Sequence, residues 1–214
     1  MPVRSYVYVD GFNLYYGAVR GTPYKWLDVR RLSELLLPGH SMEDVRYFTA
    51  RVSARKDDPH KPTRQQIYLR ALRTLPGLEI IYGSFLSHDV MMLLAEPNPD
   101  GPKFVKVTKT EEKGSDVNLA THLMHDAYLG RFDSAVLITN DSDLLEPIRI
   151  VRRELKLEVG ILNPHNQTPS RVLLRHASFV KQIRAGALRA SLPRRVDGWQ
   201  GAVPQAPRLV NRSD

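Results

Sequence analysis

The chain of 214 residues contains no cysteine. This absence excludes disulfides, thiolate nucleophiles, iron–sulfur clusters and zinc sites with cysteine ligands. Long apolar runs are also missing, because the longest, such as residues 6–9 and 135–138, are far shorter than the ~18 residues that cross a bilayer. The first residues show no small-residue cleavage pattern, so we expect no signal peptide. These absences favour a cytoplasmic protein without a membrane partner.

Positive charge is in excess, since 31 Lys and Arg against 23 Asp and Glu give a net charge of +8. Residues 184–214 contain six arginines against two aspartates, which is half of that excess. This segment contains several prolines and no sustained apolar period, so we predict a flexible basic tail after one domain at residues 1–183. A basic chain suits a polyanionic partner, because Lys and Arg displace counterions from phosphates, although it also serves solubility alone.

Short apolar runs alternate with helical patterns along the predicted domain. Five runs predict buried strands: residues 5–9, 45–50, 78–83, 134–139 and 157–162. Residues 104–109 alternate apolar and polar side chains, which predicts an edge strand with one wet face. Helices are predicted at four places: residues 29–37, 64–75, 116–129 and 143–155. This alternation is typical of an α/β fold with a mostly parallel sheet.

Acidic residues follow two of the predicted strands. Asp10 ends the first strand, and Asp141 and Asp143 come directly after the strand at residues 134–139. Asp116 lies in the first turn of a helix that should pack on the same sheet. Because ligands of open α/β sheets bind at the carboxyl ends of the strands, we expect these four carboxylates at one edge.

Four clustered carboxylates are unfavourable unless a positive charge lies among them. Oxygen ligands without cysteine or an obvious histidine cluster favour Mg²⁺ or Mn²⁺ over zinc. We expect Asn13 to supply an amide oxygen or to hold a metal-bound water, and Thr139, Asn140 and Ser142 to donate hydrogen bonds around the acids. Taken singly, each acid also fits a turn or the start of a helix.

Three motifs occur in order along the chain: Tyr-Val-Asp-Gly-Phe-Asn-Leu at residues 8–14, Glu-Lys-Gly-Ser-Asp-Val at residues 112–117 and Ile-Thr-Asn-Asp-Ser-Asp-Leu at residues 138–144. They resemble the NYN domain, a PIN-like nuclease family that includes the bacterial LabA-type proteins. The stretch at residues 61–69 is also similar to that family. The resemblance covers roughly residues 5–165.

The resemblance implies a Rossmann-like, PIN-like three-layer sandwich, in which helices flank a mostly parallel central sheet. It also implies divalent-metal binding and endoribonuclease activity, with catalytic and metal-binding acids at Asp10, Asp116, Asp141 and Asp143. Relatives more often have Ser-Gly at the start of the third motif, where this chain has Thr-Asn, so the bulkier Asn140 either narrows the approach or needs another backbone angle. Some relatives have unrelated activities, including hydroxylation of a pyridine compound, so fold alone does not fix the reaction.

Basic residues near the motifs are candidates for substrate contact: Lys113, Arg51, Arg55, Lys61 and Arg64. Lys113 precedes Asp116 and contacts the scissile phosphate or is a solvated loop lysine. The other four follow the second strand and either track an RNA backbone, with Tyr68 stacking a base, or form a solvated face. The aromatic residues after the first motif form a base-stacking wall or pack in the core: Tyr15, Tyr16, Tyr24 and Trp26.

Three functions remain as hypotheses. The first is a ribonuclease that uses Mg²⁺ or Mn²⁺ and a metal-held water to hydrolyse phosphodiester bonds of RNA. The second is a non-catalytic module that binds RNA or a protein. The third, an oxidoreductase acting on a small aromatic of pyridine type, is weakened because the sequence has neither a Gly-x-Gly-x-x-Gly fingerprint nor a phosphate loop. The apolar residues 91–94 pack in the core or meet a second copy in a homodimer.

Overall fold

The computed structural model describes residues 1–54, 56–96, 101–166 and 168–193. Eight strands occur in these residues: β1 (Val3–Asp10), β2 (His40–Thr49), β3 (Leu78–Tyr82), β4 (Ser84–Leu93), β5 (Phe104–Lys113), β6 (Ser134–Ile138), β7 (Glu158–Asn163) and β8 (Phe179–Gln182). Six of them form one sheet in the order β3-β2-β1-β6-β7-β8, and every neighbouring pair is parallel. β4 and β5 form a separate antiparallel hairpin.

Helices cover both faces of the sheet, which confirms the predicted three-layer α/β fold. One face carries α1 (Gly11–Leu14), α2 (Val29–Leu36) and α3 (Lys61–Leu72), together with α7 (Ala185–Ala190). The other face carries α4 (Ser115–Tyr128), α5 (Leu145–Arg153) and α6 (Arg171–His176). None of the helices in the described part of the chain combines the length and apolarity needed to span a bilayer.

Strand β1 lies at the centre of the molecule and contributes to both cores. Val7 and Val9 pack on the side of α2 and α3, whereas Tyr8 packs on the side of α4. Both faces are therefore buried, which explains the continuous apolar run in this strand. The strand order reverses between β1 and β6, and this reversal is where open α/β sheets bind ligands.

An ionic network fixes α4 to the sheet. Asp126, which is fully buried, accepts hydrogen bonds from the Tyr8 hydroxyl at 2.7 Å and from Arg131 at 2.8 Å. It also forms an ion pair with Arg46 at 2.7 Å. A buried carboxylate needs such partners, because its desolvation is otherwise strongly unfavourable. The network therefore fixes α4, which carries Asp116 at its other end.

Some predicted elements differ from the structure in position. α3 begins at Lys61, three residues before the predicted start. Pro62 near the helix start explains the difference, because proline is well suited to the first turn. Gly114, with φ of +94°, precedes α4, which begins at Ser115, one residue before the predicted start.

The predicted edge strand belongs to the hairpin and not to the central sheet. β5 extends from Phe104 to Lys113 and pairs only with β4, an element that the sequence did not predict. Met91, Met92 and Leu93 of β4 are exposed, so the prediction that they pack in the core is wrong. Contact of this patch with a second copy stays a prediction.

The chain remains folded beyond residue 183, where the flexible tail was predicted to begin. Leu188 of α7 is only 4% exposed and belongs to the core beside α2. The Ser191 carbonyl accepts a hydrogen bond from the Asp28 N–H at 3.0 Å. The rest of the predicted tail, residues 194–214, lies outside the described residues.

Candidate active site

A cavity of about 660 Å³ opens at the carboxyl ends of β1 and β6. Asp10 is the last residue of β1, and Asp141 follows β6. Asp116 lies in the first turn of α4. All three carboxylates line this space, here named the acidic cavity. The structure thus brings together three of the four predicted acids.

Asp10 is the most deeply buried of these acids, at 6% exposure. Its Oδ1 accepts the backbone N–H of Asn13 at 2.9 Å, which caps α1. Its Oδ2 accepts the Thr139 hydroxyl at 3.2 Å. The Thr139 oxygen in turn accepts the Asp141 N–H at 3.1 Å, so one threonine links the two strand ends.

Burial and the neighbouring carboxylates raise the pKa of two acids of the cavity. Burial is the main cause that raises the pKa of Asp10 to about 7, and the charges of Asp116 and Asp141 add to it. Hydrogen bonds from Asn13 and Thr139 partly oppose this shift of the pKa. Burial, followed by the charge of Asp141, also raises the pKa of Asp116. A cation in this cavity would therefore be strongly stabilised.

Glu112, at the end of β5, is a fourth acid on the wall of the cavity. It accepts the Ser115 N–H at 3.1 Å and the Ser115 hydroxyl at 2.7 Å. Gly83 packs against the carboxylate so closely that any side chain at this position would overlap it. Glu112 belongs to the second motif, but its spacing from the strands gave no sign that it would face the acids.

His165 also lines the cavity and was not predicted. Its Nε2 lies 2.9 Å from Asn13 Oδ1, which also accepts the Asn140 N–H at 3.0 Å. Because that oxygen is an acceptor, His165 donates through Nε2. The signal for His165 was its position just after β7, at the same edge of the sheet. Asn13 Oδ1 thus has two partners, and the predicted role of Asn13 in supplying an amide oxygen or holding a metal-bound water stays a prediction.

The other residues of the third motif lie outside the cavity wall. Asp143 and Ser142 are exposed on a short 3-10 turn, and the Asp143 N–H donates to Asp141 Oδ1 at 3.0 Å. Asn140 Oδ1 accepts the Ser170 N–H at 2.8 Å. Asn140 is not part of the wall, so it does not narrow the approach in the way that its size suggested.

The acids share the cavity without converging on a single point. Over residues 1–54, 56–96, 101–166 and 168–193, no three acidic or histidine side chains are grouped closely enough to hold a metal ion. Asp10, Asp116, Asp141 and Glu112 nevertheless offer the carboxylate oxygens that Mg²⁺ and Mn²⁺ prefer. The donor chemistry fits such an ion, and the metal site stays a prediction.

The predicted basic residues are placed differently from one another. Lys61 lines the acidic cavity. Lys113 is exposed and lies 3.3 Å from Glu111, Arg51 stacks over Tyr82 at 5.3 Å, and Arg64 pairs with Asp58. None of these last three lines the acidic cavity within the described structure, because each cation has another partner. Arg55 lies outside the described residues.

The hairpin forms one wall of the acidic cavity. Phe85 of β4 and Thr110 of β5 line it, as does Ser87. The Phe85 ring meets the Phe12 ring edge to face, with centroids 5.8 Å apart. This aromatic contact joins the hairpin to the first motif, so the cavity depends on the packing of both.

The NYN domain profile matches residues 4–183. A curated relative, 6-hydroxy-3-succinoylpyridine 3-monooxygenase HspA of Pseudomonas putida (strain DSM 28022 / S16), is 34% identical over 228 aligned residues, which cover 92% of this chain and 72% of the relative. A crystal structure of a protein of unknown function from Vibrio parahaemolyticus RIMD 2210633 superposes with a TM-score of 0.53 at 16% identity. That match covers 86% of this chain and 94% of the other, and it shows a shared fold alone.

Proposed function

The chain belongs to the NYN domain family, and we propose that it is a divalent-metal-dependent ribonuclease. The observation that carries this proposal is the acidic cavity, whose wall carries Asp10, Asp116 and Asp141 at the reversal of the strand order. A negative cavity of this kind recruits a divalent cation and, through it, a phosphodiester. Within the family, the three sequence motifs favour the LabA-type members.

The side chains of the acidic cavity have different roles in the proposed reaction. Asp10, Asp116 and Asp141, with Glu112 on the wall, would hold Mg²⁺ or Mn²⁺. The bound ion acidifies water and balances the charge that develops on a phosphate. Asn13 and Thr139 hold the Asp10 carboxylate in one orientation. Lys61, at the start of α3, supplies a positive charge to the RNA backbone.

The test is cleavage of single-stranded RNA by the purified chain in Mg²⁺, Mn²⁺ or EDTA. We expect cleavage in either metal, no cleavage in EDTA, and loss of cleavage in Asp10→Asn and Asp141→Asn. Asp57→Asn is the matched control, because Asp57 is exposed and does not line the acidic cavity. Full activity in EDTA or in both cavity variants contradicts the proposal. Binding of RNA without cleavage in any divalent metal favours a non-catalytic module.

A second candidate is a monooxygenase acting on a small aromatic of pyridine type. The observation in its favour is the 34% identity to HspA, a protein whose name assigns it that activity. Hydroxylation needs O₂ and a two-electron donor, since one oxygen atom enters the product and the other leaves as water. The test is incubation of the protein with 6-hydroxy-3-succinoylpyridine and NADH under ¹⁸O₂. A product carrying ¹⁸O, together with intact RNA in the parallel assay, favours the monooxygenase.

A further inference from the structure

A second cavity, of about 140 Å³, adjoins the acidic cavity. Its wall carries the aromatic side chains Phe12, Tyr16, Trp26, Tyr47 and Tyr68, and we name it the aromatic cavity. Phe12, Tyr16 and Lys61 line both cavities. The two cavities are therefore immediate neighbours.

The rings of this wall are held in fixed orientations. Trp26 meets Tyr68 edge to face with centroids 6.3 Å apart, and Tyr68 meets Tyr47 in the same manner at 6.3 Å. The Tyr68 hydroxyl donates to the Leu27 carbonyl at 2.8 Å. Tyr16 remains half exposed at the side that joins the acidic cavity. Such a preformed set of ring faces suits a flat, unpaired ring.

Two residues with hydroxyl groups, Tyr47 and Thr49, line the aromatic cavity. The residues are 6% and 3% exposed, and neither hydroxyl forms a hydrogen bond with any residue that the structure describes. Neither hydroxyl is among the buried side-chain atoms that lack a partner, so both are accessible to a ligand that carries its own donors and acceptors. An edge of a nucleobase carries both.

Three cationic residues line the aromatic cavity. Lys25, Lys61 and Arg64 line it, and Lys61 stands on the wall shared with the acidic cavity. Gln65 holds the neighbouring loop, because its amide donates to the Ala50 carbonyl at 2.9 Å and accepts the Val52 N–H at 2.9 Å. Aromatic faces, free hydroxyls and cations together match a nucleotide better than an uncharged hydrocarbon.

We propose that the aromatic cavity binds the unpaired base of the nucleotide next to the phosphate that is cleaved in the acidic cavity. This inference rests on the proposed ribonuclease function and names its substrate as single-stranded RNA. A paired base would not enter a space of about 140 Å³, because its partner base would have to enter with it. Lys61 would then lie between the base and the phosphate.

The chain has two tryptophans, so fluorescence can report on this cavity alone. In the variant Trp199→Phe, Trp26 is the sole tryptophan. The metal-free variant is titrated with adenosine 5′-monophosphate and uridine 5′-monophosphate, and with ribose 5-phosphate as the control that lacks a base. We expect saturable quenching of Trp26 by at least one nucleotide and none by ribose 5-phosphate.

A second substitution tests the free hydroxyl. Tyr47→Phe in the same background keeps the ring and should weaken nucleotide binding about fivefold. Tyr128→Phe is the matched control, because Tyr128 is 81% exposed at the end of α4, and it should leave the affinity unchanged.

The outcomes separate this subsite from the proposed function. Absence of quenching, equal quenching by ribose 5-phosphate, or unchanged affinity in Tyr47→Phe overturns the subsite even when RNA is cleaved. Quenching by a nucleotide but not by ribose 5-phosphate, with weaker binding in Tyr47→Phe, supports the subsite even when RNA is not cleaved. In that case only the ribonuclease proposal is contradicted.

Discussion

His165 Nε2 lies 2.9 Å from Asn13 Oδ1, although the two residues are 152 positions apart in the chain. The same oxygen accepts the Asn140 N–H, so Asn13 joins the loops after β6 and β7. Gly17 allows this arrangement, because a Cβ there would lie 2.9 Å from the His165 ring. Since the Asn13 N–H also donates to Asp10, the pair helps to position the most buried acid of the acidic cavity.

His165→Ala should lower RNA cleavage about 10- to 100-fold, because groups that orient the ligands of a metal have effects of that size. The loss should fall on the rate of the chemical step, measured in single turnovers at saturating RNA. His88→Ala is the control, since His88 is exposed on β4 and does not line the acidic cavity. A wild-type rate in His165→Ala would show that Asn13 keeps its position without the histidine.

The metal-free protein should lose stability as the pH rises from about 4 to about 7. The pKa of Asp10 is raised to about 7 from its ordinary value of 3.8, so the folded state binds this proton more tightly than the unfolded chain. The free energy of unfolding therefore falls over that range, by about 4 kcal/mol at most. Urea unfolding in EDTA at pH 4 and pH 8 measures this fall.

Asp10→Asn should remove most of this pH dependence and should be more stable than the wild type at pH 8 in EDTA, because the amide carries no charge. Asp57→Asn should keep the wild-type dependence. Added Mn²⁺ should stabilise the wild type at pH 8 and not Asp10→Asn. If Asp10→Asn retains the full pH dependence, another titratable group causes the change in stability.

Asp141→Asn and Asp143→Asn should differ, although both acids belong to the third motif. Asp141 lines the acidic cavity, whereas Asp143 is exposed beside it. We expect cleavage to fall at least about 100-fold in Asp141→Asn and only a few-fold in Asp143→Asn, whose charge acts on Asp116 at a distance. Initial rates at saturating Mn²⁺ compare them. Equal losses of cleavage in the two variants would indicate that Asp143 is also a metal ligand.

The sequence predicted the inner strands of the sheet because their environment leaves a simple pattern. β1 and β6 are buried on both faces and contain uninterrupted apolar runs, at residues 6–9 and 135–138. β8 has only four residues, and β4 is largely exposed on both faces. Neither sequence therefore shows the periodic hydrophobic pattern that distinguishes a strand from a loop. Hydrophobic burial therefore determined which strands could be predicted.

The residues of the site also differ in whether the sequence could predict their positions. Asp10 and Asp141 could be placed because each directly follows a strand, and parallel strands end at one edge. Glu112 and His165 reach the acidic cavity through the hairpin and through the chain after β7. The position of Glu112 depends on how the hairpin packs against the sheet, which the order of residues does not reveal, whereas His165 could have been placed from its position just after β7.

Asp126→Ala should destabilise the fold by about 3–5 kcal/mol. The substitution leaves Arg46, which is also buried, without the carboxylate 2.7 Å from its guanidinium. Tyr8→Phe removes one neutral donor and should cost only about 1 kcal/mol. Urea unfolding monitored by circular dichroism measures both, and equal effects would show that the ionic contacts contribute little.

A chain of residues 1–183 should be less stable than a chain of residues 1–193. The shorter chain loses Leu188 from the core, the carbonyl that accepts the Asp28 N–H, and the Ala190 carbonyl that accepts Arg31 Nε at 3.2 Å. Removing one buried leucine already costs at least about 2 kcal/mol, so the loss of α7 should lower the free energy of unfolding by more than that. Urea unfolding of the two chains and of the full chain compares them. The chain of residues 1–193 should have the same free energy of unfolding as the full chain. Equal stability of residues 1–183 would support the domain boundary that the sequence predicted.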